Sequence, residues 1–154
     1  MRLVVAAVGK PRDAALAAAI HEYEARATRY WPLEVFEVRE EPGRAARADL
    51  VRQREAERLA AKVPLGAHVV ACELGGTSMT SEEFAQWLQH RRELAHDVAF
   101  VIGGAHGLGE VVRERAATRL ALAPWTLPHE LARLVLAEQL YRAGTIVRRE
   151  PYHK

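Results

Sequence analysis

Apolar positions along this chain follow two rhythms, and they divide it into ten alternating elements. Residues 2–8 form a short apolar run closed by Gly9, the pattern of a buried strand. Residues 13–30 are Ala-rich, with Leu16, Ile20, Tyr23 and Ala27 at helical spacing, until Trp31-Pro32 stops them. Leu33–Val38 alternates apolar and polar, as a strand with one wet face does. After the loop Glu41-Pro42-Gly43-Arg44, residues 49–62 read as a charged helix whose thin apolar stripe is Leu50, Val51 and Leu59. Pro64 and Gly66 break the chain, and residues 67–72 form a third apolar strand that runs out into Glu73-Leu74-Gly75-Gly76. Thr80-Ser81-Glu82-Glu83 is a capping box, opening a helix through Phe84, Trp87, Leu88 and Leu94. Residues 97–102 predict the fourth strand, 110–119 the fourth helix, and 120–123 a stub of a fifth strand. A long final helix runs from Pro128 to about Val147.

Strand and helix alternate five times, and most strands are continuously apolar. That combination predicts an α/β fold, a parallel sheet covered by helices on both faces. With no linker or repeat, residues 1–154 read as a single domain. The hydrophobic and charged fractions, 49% and 27%, are ordinary for a globular chain. The lone cysteine, Cys72, excludes an internal disulfide, and the scattered His21, His68, His90, His96 and His106 lack ligand spacing, so no metal site is read. No cleavable leader and no apolar run of membrane-spanning length is visible, so a cytoplasmic protein with no membrane contact is expected. The net charge is only +2, but all except three of the 22 basic residues are Arg. The planar guanidinium suits phosphate, although compositional bias with arginines on solvated helix faces is the commoner source of such an excess.

Candidate chemistry gathers where strands end. Phe100-Val101-Ile102 stops at Gly103-Gly104, with Gly107 and Gly109 following, so backbone there can approach another backbone or a ligand. The spacing fails the dinucleotide fingerprint, and without a Lys or Ser/Thr after the last glycine it is no phosphate-cradling loop either. Leu122-Ala123-Pro124-Trp125-Thr126-Leu127-Pro128 joins the fifth strand to the last helix. Two prolines stiffen it into a short apolar wall whose backbone could serve a purine-like ring. In the last helix Leu131, Leu134, Val135, Leu136, Ala137, Leu140 and Tyr141 leave only Glu130, Arg133, Glu138 and Arg142 polar. A helix apolar nearly all round calls for cover from a second subunit, hence a homodimer through this helix. The end, Arg148-Arg149-Glu150-Pro151-Tyr152-His153-Lys154, is either a solvated tail or a segment that contacts phosphate and base.

Taken together, Phe100-Val101-Ile102-Gly103-Gly104 with Gly107-Leu108, Thr126-Leu127-Pro128-His129, Glu138-Gln139-Leu140-Tyr141-Arg142-Ala143 and Tyr152-His153-Lys154 resemble one family, and with Val5-Ala6-Ala7-Val8-Gly9-Lys10 and Glu22-Tyr23 the resemblance runs end to end. That family is RlmH, SPOUT-class methyltransferases of pseudouridine N3 in 23S rRNA. The resemblance implies a C-terminal trefoil knot, a homodimer, and S-adenosylmethionine (SAM) held by Cys72, Gly103, Leu122, Ala123, Pro124, Trp125, Thr126 and Leu127. It also implies a 23S rRNA stem-loop within the assembled 70S ribosome as substrate. Cys72 stands where the family often has Leu, and Ala123-Pro124-Trp125 is this chain's own version of the loop. His129, Arg142, Tyr152 and His153 are the implied catalytic group. His129 could take a proton from the acceptor or only cap its helix. Arg142 could hold an anion or only pair with Glu138. A ribosome-binding dimer without turnover and an enzyme acting on a free nucleotide are the competing readings.

Overall fold

Alternation of side chains on buried strands decides what each helix covers. The computed structural model describes residues 1–153, His153 through its backbone alone. Five strands, β1 (Leu3–Val8), β2 (Leu33–Val38), β3 (His68–Thr77), β4 (Val98–Ile102) and β5 (Ala116–Leu120), form one sheet in the order β2-β1-β4-β3-β5, every pair parallel. All residues of β1 and β4 are buried, because both are interior strands covered on both faces. On one face Leu3, Val5, Ala7, Val98, Phe100 and Ile102 pack beneath α1 (Ala14–Ala27), α3 (Ser81–Glu93) and α5 (His129–Val147). On the other, Val4, Ala6, Val8, Ala99 and Val101 meet α2 (Ala48–Ala60) and α4 (Glu110–Arg115).

Local side-chain bonds set the helix ends, and the capping box read at Thr80 is among them. The Asp13 carboxylate accepts from the Leu16 amide at 2.8 Å to start α1. Thr80 and Glu83 make both bonds of the capping box at α3. Trp31 closes α1 onto α5: its fully buried indole N–H donates to the Leu140 carbonyl at 2.8 Å.

The order of elements matches the prediction, but four details differ. The stretch expected as one helix over 110–119 is a six-residue helix followed by β5, four residues earlier than the expected stub. Its residues are alternately exposed because β5 lies at the sheet edge, so it carries no apolar run to betray a strand. β3 runs on through Gly75-Gly76 to Thr77, where a turn was expected. A Cβ on Gly76 would lie 2.7 Å from the Arg119 backbone, so the missing side chain is what lets β5 draw alongside. Leu50 is exposed, and the inner face of α2 is instead Val51, Glu55, Ala56 and Leu59. Arg133, read as part of a polar remainder, is buried beneath α5.

Glu55 is 2% exposed, with Oε2 accepting the Glu41 amide at 3.0 Å and Oε1 unpartnered against Gly104. Burial raises its pKa; the Glu41 amide and the charges of His106 and Arg58 pull the other way, and Glu40 adds to the rise. A carboxyl whose folded pKa lies above its unfolded one favours folding at acid pH and loses that contribution as pH climbs through the folded value. Glu55→Gln should therefore match the wild type near pH 4 and melt about 2–4 °C higher at pH 8. Thermal melts across pH check this, and a pH-independent difference counts against it.

Candidate functional site

Three neighbouring strands, β4, β3 and β5, end side by side, and their outgoing loops close a cavity of about 330 Å³. Carboxyl-end clefts of this kind are where open α/β sheets place ligands. Its floor is the turn after β4. A Cβ on Gly103 would lie 2.6 Å from the Gly107 carbonyl carbon and 2.9 Å from the Leu108 nitrogen, so only glycine fits there. The Gly107 amide donates to the Gly104 carbonyl at 3.0 Å, and Gly107 takes φ +86°, holding the turn tight. Leu122, Ala123, Trp125, Thr126 and Leu127 form the opposing wall; Pro124, grouped with them in the sequence reading, is not on it. Trp125 stands 79% exposed at the rim.

Cys72 lines the cavity at the end of the buried part of β3. Burial pushes its thiol up to about 12, so it is a neutral, soft wall element rather than a nucleophile. His129, the first residue of α5, also lines the cavity, with Pro128 before it at the helix cap.

Arg142 and Tyr152 lie elsewhere. Arg142 stands thirteen positions beyond His129 on α5, about 20 Å along the helix axis. Arg142 pairs with Glu138 at 2.7 and 2.9 Å, and this intrahelical bond to the carboxylate raises its pKa. Tyr152 is not a loose tail. Its ring centroid sits 4.5 Å from that of Tyr141, and its hydroxyl donates to Glu138 at 3.2 Å. Burial, then the Tyr23 and Glu138 contacts, drive the phenol pKa upward, so it stays protonated as a donor. The Arg142 guanidinium lies 5.0 Å from the Tyr152 ring centre. The side chain of His153 lies outside the described residues.

Sequence reasoning passed over one feature of the cavity. Glu73, on β3 directly after Cys72, accepts from Arg113 (Nε 3.0 Å, Nη2 2.9 Å) with one oxygen and from Arg119 Nε (2.5 Å) with the other. Glu73 and Arg113 both line the cavity. The acid follows the buried run of β3 and precedes exposed Leu74, and its partners stand 40 and 46 residues away, so no local pattern links them.

A parallel sheet opening three strand ends around a turn that only glycine can make has the ligand-site architecture of open α/β sheets. The family model described as "Predicted SPOUT methyltransferase" matches residues 1–153, and the chain belongs to that family. Within it, the chain is 66% identical over 154 residues to the ribosomal RNA large subunit methyltransferase H of Gemmatimonas aurantiaca, covering 100% of both chains. The protein of the same name from an Anaeromyxobacter strain is 49% identical over 100% of both. Among solved structures, the SpoU methyltransferase AviRb from Streptomyces viridochromogenes, in complex with AdoMet, aligns with TM-score 0.47 and 16% identity. That match covers 97% of this chain and 59% of that one.

Proposed function

We propose that this chain is a SAM-dependent methyltransferase that modifies N3 of a pseudouridine in a 23S rRNA stem-loop of the assembled 70S ribosome, acting as a cytoplasmic homodimer with a trefoil-knotted cofactor site. The observation that carries the reading is the full-length identity to ribosomal RNA large subunit methyltransferase H. Among the described residues no helix is long and apolar enough to cross a membrane.

The cavity suits the cofactor. Its volume lies at the small end of ligand sites, Ile102, Leu108, Leu122 and Leu127 can flank a purine, and the loop from Leu122 to Leu127 presents backbone donors and acceptors. Bound there, SAM would supply an electrophilic methyl group on a sulfonium. The chain's own residues supply positioning and proton handling. His129 lines the cavity, where it can accept the proton leaving the acceptor nitrogen. Arg142 and Tyr152, some 20 Å along the helix, cannot serve the same acceptor from the same subunit. An antiparallel partner packed on α5 would bring its own Arg142 and Tyr152 to the mouth, to hold phosphate and base. Partly exposed Leu131, Leu134 and Val135 on α5 give such a partner an apolar surface to cover.

The test is methyl transfer from labelled SAM to intact 70S ribosomes from cells lacking the gene, beside free 23S rRNA and separated subunits, with the product base mapped by mass spectrometry. Label is expected on one pseudouridine of the assembled ribosome, and His129→Ala should lower the rate by roughly 10²- to 10⁴-fold. Sedimentation should give a dimer. Label on free rRNA alone, or none in any arm, would overturn the substrate assignment.

A further inference from the structure

The charge at the cavity is concentrated at one end. Ile102, Leu108, Leu122, Leu127 and the neutral Cys72 make the inner wall apolar, while Glu73 and Arg113 stand together at the α4 side. Glu73 keeps only 10% of its side chain exposed, whereas Arg113 and Arg119 are 49% and 55% exposed. One carboxylate faces two guanidiniums, so the cluster carries an excess positive charge. Arg113 binds Glu73 through Nε and Nη2, and its Nη1 has no partner among the described residues. The pocket thus offers apolar side chains for a flat ring and, on the α4 side, one acid and one available cation. That is the complement of an α-amino acid: a carboxylate and an ammonium on one carbon.

We propose that Glu73 and Arg113 form the subsite for the amino-acid end of the cofactor, Arg113 pairing with its α-carboxylate and Glu73 with its α-ammonium, while Arg119 holds Glu73 in place. This rests on the SAM reading above. Arg113 needs only to turn its fork from Glu73 toward the ligand, because Arg119 already occupies the other oxygen of Glu73. The bare alternative is a clasp tying α4 and β5 to β3. A clasp would affect every ligand of the pocket alike, whereas a subsite discriminates by what the ligand carries.

Calorimetric titration separates the two. The ligands are S-adenosylhomocysteine, its analogue lacking only the carboxylate, and 5′-methylthioadenosine, which lacks the whole amino-acid arm but keeps base and ribose. Wild-type protein should bind the decarboxylated analogue at least 10-fold more weakly than S-adenosylhomocysteine, a comparison that needs no variant. Arg113→Gln and Glu73→Gln should each weaken S-adenosylhomocysteine by roughly 10- to 100-fold, the range of a charged hydrogen bond. Both should leave 5′-methylthioadenosine within about 2-fold, and Arg113→Lys should recover part of the loss. Equal losses for the two ligands, or a wild type indifferent to the carboxylate, would overturn the subsite and leave the cofactor reading standing. A wild type that binds 5′-methylthioadenosine and S-adenosylhomocysteine not at all would overturn both.

Discussion

Arg133→Met should be among the most destabilising single substitutions in this chain. The Arg133 side chain is 5% exposed and grips both oxygens of Glu24 on α1 at 2.7 and 3.2 Å, with a third bond to Glu37 on β2 at 2.9 Å. Methionine matches much of the stem but supplies no charge. It would leave Glu24 and Glu37 facing each other, largely out of water. Removing one partner of a buried ionic group costs about 3–5 kcal/mol, where an exposed pair costs under about 1 kcal/mol. Urea unfolding should report that loss and a melting temperature lower by roughly 10 °C. Neutralising the stranded acids as well, in Arg133→Met with Glu24→Gln and Glu37→Gln, should recover most of it. A single variant within about 1 kcal/mol of wild type would mean that water reaches the acids freely.

Gly103→Ala should abolish cofactor binding while leaving most of the sheet intact. The added Cβ meets main-chain atoms of Gly107 and Leu108 at 2.6–2.9 Å, and no side-chain rotation can relieve a backbone clash. The turn after β4 must open, displacing Gly104 and Leu108 from the cavity floor. Affinity for S-adenosylhomocysteine is expected to fall by at least 100-fold, with methyl transfer lost alongside it. The circular dichroism spectrum should stay close to wild type, since β4 itself ends at Ile102. Near-normal affinity would show that the turn yields cheaply and that the glycine is there for folding alone.

These two sites differ in how far the sequence announces them. Gly103-Gly104 closes an apolar strand and marks either close backbone approach or a plain strand-to-helix turn, so the place of the cavity floor was legible and its tightness was not. The same holds for the proline-stiffened loop from Leu122 to Leu127. Arg133 gave no such sign. Its helical spacing on a polar stripe is the ordinary signature of a solvated face, and its partners lie 109 and 96 residues away. The resemblance also implied that Arg142, Tyr152, His129 and His153 act together. The fold puts the first two far along α5 from the third, which is why the proposed acceptor site needs a second subunit.

Interior strands and helix starts could be read from the chain alone, because their causes are local. β1 and β4 are continuously apolar because water reaches neither face, and Asp13 and Thr80 cap helices through residues three positions on. The class of fold follows from those elements and their alternation. The edge strand β5, the extension of β3 past Gly76, the buried Arg133 triad and the Glu73 cluster depend on which strand lies beside which. Pairing of residues 40 to 109 positions apart is set by packing of the whole sheet and its helices, and no window of sequence contains it. The tertiary structure alone decides where charge may be buried, and so where this chain can hold a charged ligand.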